Sequence, residues 1–261
     1  MQHMIIIPVR LNDTFESQMI LDTGIGLTLI TKEFCERVKC NISGSYTGKR
    51  MSGQKIKVGL SRIAVLSIAG HREENVQVGV FDTANILPPN IDGMVSLAYF
   101  EKTPFTIDNK NGVVIVEDPM SMAERKKNGA IVPVTVDRDG PTVGLYLSME
   151  VPNGPPAKVE IDTGSNSFIL NEKYMKRLGV DPKGPTVKRV DAKDETAHPY
   201  TRYFTKIAGP IYPTGAPQMR QADLDVMFQK IIYDGLVGHG FLKNFIVTFD
   251  IPNAQIILAK P

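Results

Sequence analysis

The 261-residue sequence contains no tryptophan, and aromatic residues make up only 7% of it. A surface for stacking nucleic acid bases relies on exposed rings, so that class of partner is not expected. An excess of one charge is also missing. Thirty basic residues face 28 acidic ones, leaving +2, and no strong field draws the chain to nucleic acid or to a membrane surface. No apolar run approaches the ~20 residues that span a bilayer, so no membrane insertion is expected. Two cysteines, Cys35 and Cys40, are too few for a disulfide scaffold, and their spacing lacks the other ligands of a zinc site. Free thiols at a helix end are the expected reading, with a local disulfide as the alternative. No Gly-x-Ser-x-Gly elbow and no paired-histidine metal motif is present. No signal peptide precedes strand-like Ile5-Ile6-Ile7. The expectation is a cytoplasmic protein, or a periplasmic or secreted one whose leader has been trimmed.

What the sequence does have is one short stretch written twice. Leu21-Asp22-Thr23-Gly24 and Ile161-Asp162-Thr163-Gly164 each follow apolar, strand-like residues. Each precedes a second apolar run, Leu27–Ile30 or Ser167–Leu170. An acidic residue thus sits on a tight turn between two buried strands, where glycine permits close backbone approach. A single buried carboxylate is costly without compensation. Two copies supply it, as a pair of carboxylates facing each other and sharing a proton. A second signature repeats as well. Asp92-Gly93-Met94-Val95-Ser96 matches Asp234-Gly235-Leu236-Val237-Gly238 at an offset of 142, and Thr106-Ile107-Asp108 matches Thr248-Phe249-Asp250 at the same offset. The chain reads as a duplicated unit.

Two Asp-Thr-Gly motifs in one chain, each in a strand-turn-strand, resemble the two-lobed aspartic peptidases of the pepsin-like and retropepsin-like superfamily. The resemblance implies an all-β fold of two similar β-barrel-like lobes with pseudo-two-fold symmetry and an inter-lobe sheet. The lobes would span residues 1–122 and 123–261. Asp22 and Asp162 would be the catalytic pair. Thr23 and Thr163 would cross-link the lobes through the opposite backbone, and Gly24 and Gly164 would present N–H groups to the carboxylates. Ser165 would give Asp162 a hydroxyl hydrogen bond that Ile25, its counterpart, cannot give Asp22. The apolar-apolar-Gly segment of the family is kept in Leu236-Val237-Gly238 and departs from it at Ser96.

Along the chain, Ile5–Leu11 alternates as a strand and returns through Gln18–Leu21. Thr31 caps a short helix from Lys32 to about Val38. Residues 41–62, rich in glycine, form a mobile hairpin at the position of the family's flap, with Tyr46 and Gly48 as its substrate-binding residues. Glu117–Gly129, charged and polar, reads as an inter-lobe linker whose Arg125-Lys126-Lys127 run is simply solvated. Residues 181–222 are the second lobe's counterpart of the flap region. Asp92 and Asp234, each before glycine, read as turn residues. The strands near Ile5–Ile7, Val113–Val116, Ile131–Val136 and Gln255–Leu258 are expected to meet in the bridging sheet.

The chemistry implied is peptide hydrolysis by a water held between two carboxylates, one ionised and one protonated. It needs no metal and no cofactor. The expected function is an aspartic endopeptidase, acting as a monomer on peptide or unstructured protein substrate. The rival reading is a catalytically inactive peptide-binding or scaffold protein of the same fold, favoured by Ser96 and Ile25.

Overall fold

The computed structural model describes residues 4–82, 87–194 and 197–261, so the Met1–His3 opening lies outside the described residues. The first half begins with β1 (Ile6–Leu11) and β2 (Phe15–Leu21), a hairpin whose turn places Asn12 and Asp13 at φ 49 and 58. Asparagine and aspartate tolerate this left-handed region better than other side chains. Alternation in β1 buries Ile7, Val9 and Leu11 and leaves Ile6, Pro8 and Arg10 outward. Then come β3 (Leu29–Thr31), α1 (Lys32–Arg37), β4 (Gly44–Lys49), β5 (Lys55–Ile68), β6 (His71–Phe81) and β7 (Gly93–Val95). They pair in the order β1-β2-β7-β3-β6-β5-β4, and a further β1–β5 pairing closes six of them into a barrel. β8 (Phe105–Asp108), β9 (Val113–Val116), α2 (Pro119–Asn128) and β10 (Ala130–Pro133) follow.

The second sheet uses β11 (Thr135–Asp139), β12 (Thr142–Glu150), β13 (Ala157–Ile161), β14 (Phe168–Asn171), β15 (Lys188–Lys193), β16 (Pro199–Ile207), β17 (Tyr212–Pro213), β18 (Leu224–Gln229) and β19 (Gly235–Val237). Its path β12-β13-β19-β14-β18-β16-β15 repeats that of the first sheet strand for strand, including the parallel pairs β2–β7 and β13–β19. The hairpin β15–β16 therefore stands where β4–β5 stands in the first sheet.

The third sheet joins the halves. β20 (Ile246–Asp250) and β21 (Gln255–Ala259) enter the order β10-β21-β20-β8-β9. Thr106 of β8 lies opposite Thr248 of β20, with their hydroxyls 2.7 Å apart, so residues separated by 142 meet as register partners. Phe100, Phe105 and Phe249 stack through this region with ring centroids 4.2 and 4.7 Å apart. The fold is all-β, of the acid-protease type.

Several sequence expectations need correction. Ile5–Ile7 does not join the bridging sheet. β1 is consumed by its hairpin with β2 and by the barrel closure against β5. Ile131–Val136 is two strands, because Val134 breaks away to bond Ala254 and the remainder pairs in the second sheet. The supposed linker holds the helix α2. Asp118 accepts from the Ser121 N–H while the Ser121 hydroxyl accepts from the Asp118 N–H, and Pro119 opens the first turn. Its apolar pattern is weak, with Met122 the buried member, so periodicity gave no sign of it. Nor is its basic run merely solvated. Arg125 Nε donates to the buried Glu117 at 2.8 Å, and Lys126 lies 3.3 Å from the buried Asp250. Finally, Cys35 and Cys40 are joined in a disulfide. Lys39, at φ 55, turns the chain back at the end of α1 so that the Cys40 N–H reaches the Cys35 carbonyl and the Cα atoms stand 5.1 Å apart.

Candidate active site

Each Asp-Thr-Gly turn leaves a buried strand that a parallel neighbour pins in place. The Asp22 N–H donates to Val95 O at 2.9 Å and the Asp162 N–H to Val237 O at 3.0 Å. Beneath the turns the two threonines reach across, both nearly inaccessible to solvent. Thr23 Oγ1 donates to Ile161 O at 2.8 Å and accepts from the Thr163 N–H at 3.0 Å. Thr163 Oγ1 donates to Leu21 O at 2.9 Å and accepts from the Thr23 N–H at 3.1 Å. Four buried bonds thereby tie residues 138 to 142 positions apart into one rigid floor.

On that floor the carboxyls face each other and share a hydrogen bond. The Gly24 N–H donates to Asp22 Oδ1 at 2.9 Å, and the Gly164 N–H to Asp162 Oδ1 at 2.8 Å. Each carboxyl also lies over the opposite glycine. A Cβ on Gly24 would stand 2.5 Å from Asp162 Cγ, and one on Gly164 would overlap the Asp22 carboxyl. Glycine is required at both positions because the partner carboxylate occupies the side-chain space. Burial raises both acids above the ordinary aspartate range, and Asp162 is pushed further by the charges of Asp22 and Glu160.

Ser165 corrects an expectation. Its backbone N–H reaches Asp162 Oδ1 at 3.2 Å, but its hydroxyl donates to Ser167 O and accepts from the Ser167 N–H. A local serine turn has captured the hydroxyl. Neither carboxyl therefore takes a hydroxyl hydrogen bond from the residue after its Asp-Thr-Gly, and the expected hydroxyl asymmetry disappears. Ser96 is buried and bonded. Its N–H donates to Thr28 Oγ1 at 3.2 Å, and its own Oγ accepts from the Ala98 N–H. Its counterpart Gly238 has no such room, since a Cβ there would meet two carbonyl oxygens at 2.5 Å. Asp92 and Asp234 are matched anchors. Asp92 binds Ser17 and Arg37, while Asp234 binds Lys173 and the Lys158 N–H.

Above the dyad, the β4–β5 hairpin crosses to the other half. Met51 O accepts from the Ile232 N–H at 2.9 Å, and Met51 packs beside Ile169, Met227, Ile231 and Leu236. Arg50 lies 3.8 Å from Asp194, and the Tyr46 hydroxyl is 3.3 Å from Asp139. The hairpin roofs a cavity of about 340 Å³ that contains Asp22, Gly24 and Asp162 together with Tyr46 and Gly48. Thr23 and Thr163 lie below it.

Glu160 went unread in the sequence. It lies two residues before Asp162 on β13, so strand alternation turns it to the same face, and it lines the same cavity. It is only 7% exposed, and burial together with the Asp22 charge raises its carboxyl to about 8. Tyr146 is its cross-strand partner, and the Tyr233 ring packs against that of Tyr146. The period-two spacing from Asp162 was the available signal.

Two coupled, buried acids under a peptide-sized roof can hold and polarise a water molecule. Residues 7–98 match the aspartyl protease family model. The match covers the first Asp-Thr-Gly and Asp92–Ser96, and the second motif lies beyond it. No curated protein matches the chain.

Proposed function

We propose that the chain is an aspartic endopeptidase whose catalytic pair is Asp22 and Asp162. The hydrogen-bonded carboxyl pair, fixed by the reciprocal threonines, carries this reading. One proton is shared between two acids that cannot both ionise easily. The ionised partner takes a proton from water as the oxygen attacks the substrate carbonyl carbon. The protonated partner donates to the carbonyl oxygen, and a tetrahedral diol forms. Its collapse breaks the C–N bond and passes a proton to the leaving nitrogen. Substrate lies extended beneath the β4–β5 hairpin, bonded along its backbone as an added strand. On this reading residues 1–122 and 123–261 are the two lobes, one monomer is a complete site, and the internal repeat reflects duplication of a lobe.

The test is hydrolysis of an unstructured protein and a peptide library by wild type, Asp22→Asn and Asp162→Asn. Each variant should fold, as judged by its circular dichroism, and lose hydrolysis. Substantial activity in either folded variant overturns the dyad assignment.

A further inference from the structure

We propose that Glu160 forms the base of a subsite that takes the cationic side chain of a lysine or arginine next to the bond being cut. This inference rests on the peptidase reading and names its substrate class. Alternate residues of a strand are about 7 Å apart, so a side chain reaching Glu160 belongs to a residue adjoining the bond held at Asp162. Glu160, Tyr233 and Leu236 border the cavity on this side. The Tyr233 ring, packed against that of Tyr146 at 5.7 Å and 60°, offers the cavity aromatic surface for an aliphatic stem and a cationic head. Gly144 lies beside the base of the subsite. A Cβ there would stand 3.4 Å from the Tyr146 ring and 3.9 Å from Glu160 Oε1.

The groups acting directly on Glu160 are acids and a phenol. Asp22 faces Glu160 from the loop after β2, Asp162 from the turn after β13 and Asp137 from β11. Tyr146 on β12 and Tyr233 before β19 add no positive charge. Among the described residues no ion pair reaches Glu160. Lys158, on the same strand, lies over the Tyr146 ring at 4.7 Å, and Arg50 in the hairpin is directed to Asp194. Lys49 and Arg50 border the cavity from the roof. A carboxylate buried among acids is costly without a cation, so Glu160 is held neutral by its surroundings. A lysine or arginine side chain stabilises the ionised form. Its binding therefore releases a proton and tightens as pH rises from 5 to 7.

The test uses peptides in which a hydroxyethylene group replaces the bond to be cut, with lysine or norleucine at each residue adjoining it. Binding is measured by calorimetry at pH 5 and 7 to wild type and Glu160→Gln. At one of the two positions wild type should favour lysine by about tenfold, more at pH 7 than at pH 5. The ratio should collapse to about one in Glu160→Gln, whose fold is checked by its thermal transition. Equal binding of lysine and norleucine at both positions, no binding of either, or a preference that survives Glu160→Gln overturns the proposal. Hydrolysis of a peptide library by wild type, run in parallel, reports on the peptidase reading separately. Cleavage without enrichment of lysine or arginine sinks the subsite and leaves the dyad standing.

Discussion

Replacing Thr23 with valine should destabilise the whole molecule, because the side chain serves two buried backbone groups. Valine keeps the branched shape and removes only the hydroxyl. Ile161 O then loses its donor at 2.8 Å, and the Thr163 N–H loses its acceptor at 3.0 Å. Leaving a buried polar group unpaired costs about 1–3 kcal/mol, so the pair costs about 2–6 kcal/mol. Total stabilities are about 5–15 kcal/mol, which makes this a large fraction. Thr23→Ser retains the hydroxyl and should lose no more than about 1 kcal/mol, the worth of one buried methyl. Thr163→Val should match Thr23→Val, since Thr163 makes the same two kinds of bond to Leu21 O and the Thr23 N–H. The assay is urea unfolding, with the midpoint lowered at unchanged slope. If Thr23→Val lies within about 0.5 kcal/mol of wild type, or Thr23→Ser costs as much, the threonine lock is not what holds the floor.

Gly164→Ala places a methyl in the space of the Asp22 carboxyl, and displacement of that group should lower kcat by about 100-fold or more; near-normal turnover would refute the packing argument. Glu160 binds its proton up to about pH 8 when folded and only to about 4.5 when unfolded. The native state therefore holds more protons in that window, and stability should fall by on the order of a few kcal/mol as pH rises through it, with Glu160→Gln flattening the slope. Urea midpoints at pH 5 and 8 read this directly, and parallel slopes in the two proteins would dismiss it. Replacing Cys35 and Cys40 with serine opens a short loop and should cost about 2 kcal/mol in thermal unfolding; no loss would mean the bridge adds nothing to the turn after α1.

The parts of this architecture legible in the sequence were those with a local chemical signature. Asp-Thr-Gly twice, the Asp-Gly-apolar-apolar motif at a constant offset and the alternation of β1 each point to structure within a few residues. What escaped depended on contacts far apart in the chain. The destination of β1 was set by its pairing with β5, which no local pattern records. The helix α2 has a reciprocal cap but almost no buried face, so its signal was in Asp118, Pro119 and Ser121 rather than in hydrophobic spacing. The Ser165 hydroxyl had two competing acceptors, and the nearer turn won. Glu160 was readable by counting back from Asp162, but nothing local marked it as buried.

A bound peptide has a direction, whereas a two-fold-symmetric cleft would accept it either way round. The floor of this cleft is close to symmetric, since Thr23 and Thr163 make interchangeable bonds and both Asp loops donate backbone N–H groups. Discrimination must come from departures. At the position where the second half carries Glu160, the first carries the buried Ile20, which does not border the cavity, so the acid beside the dyad has no counterpart on the other side. The roof is unequal too, because Met51 of the β4–β5 hairpin is bonded to Ile232. On the subsite proposed for Glu160, a lysine-bearing peptide inverted in the cleft would find no matching acid. Glu160→Gln should then reduce the energy separating the two orientations while leaving the threonine floor and both Asp loops as they are.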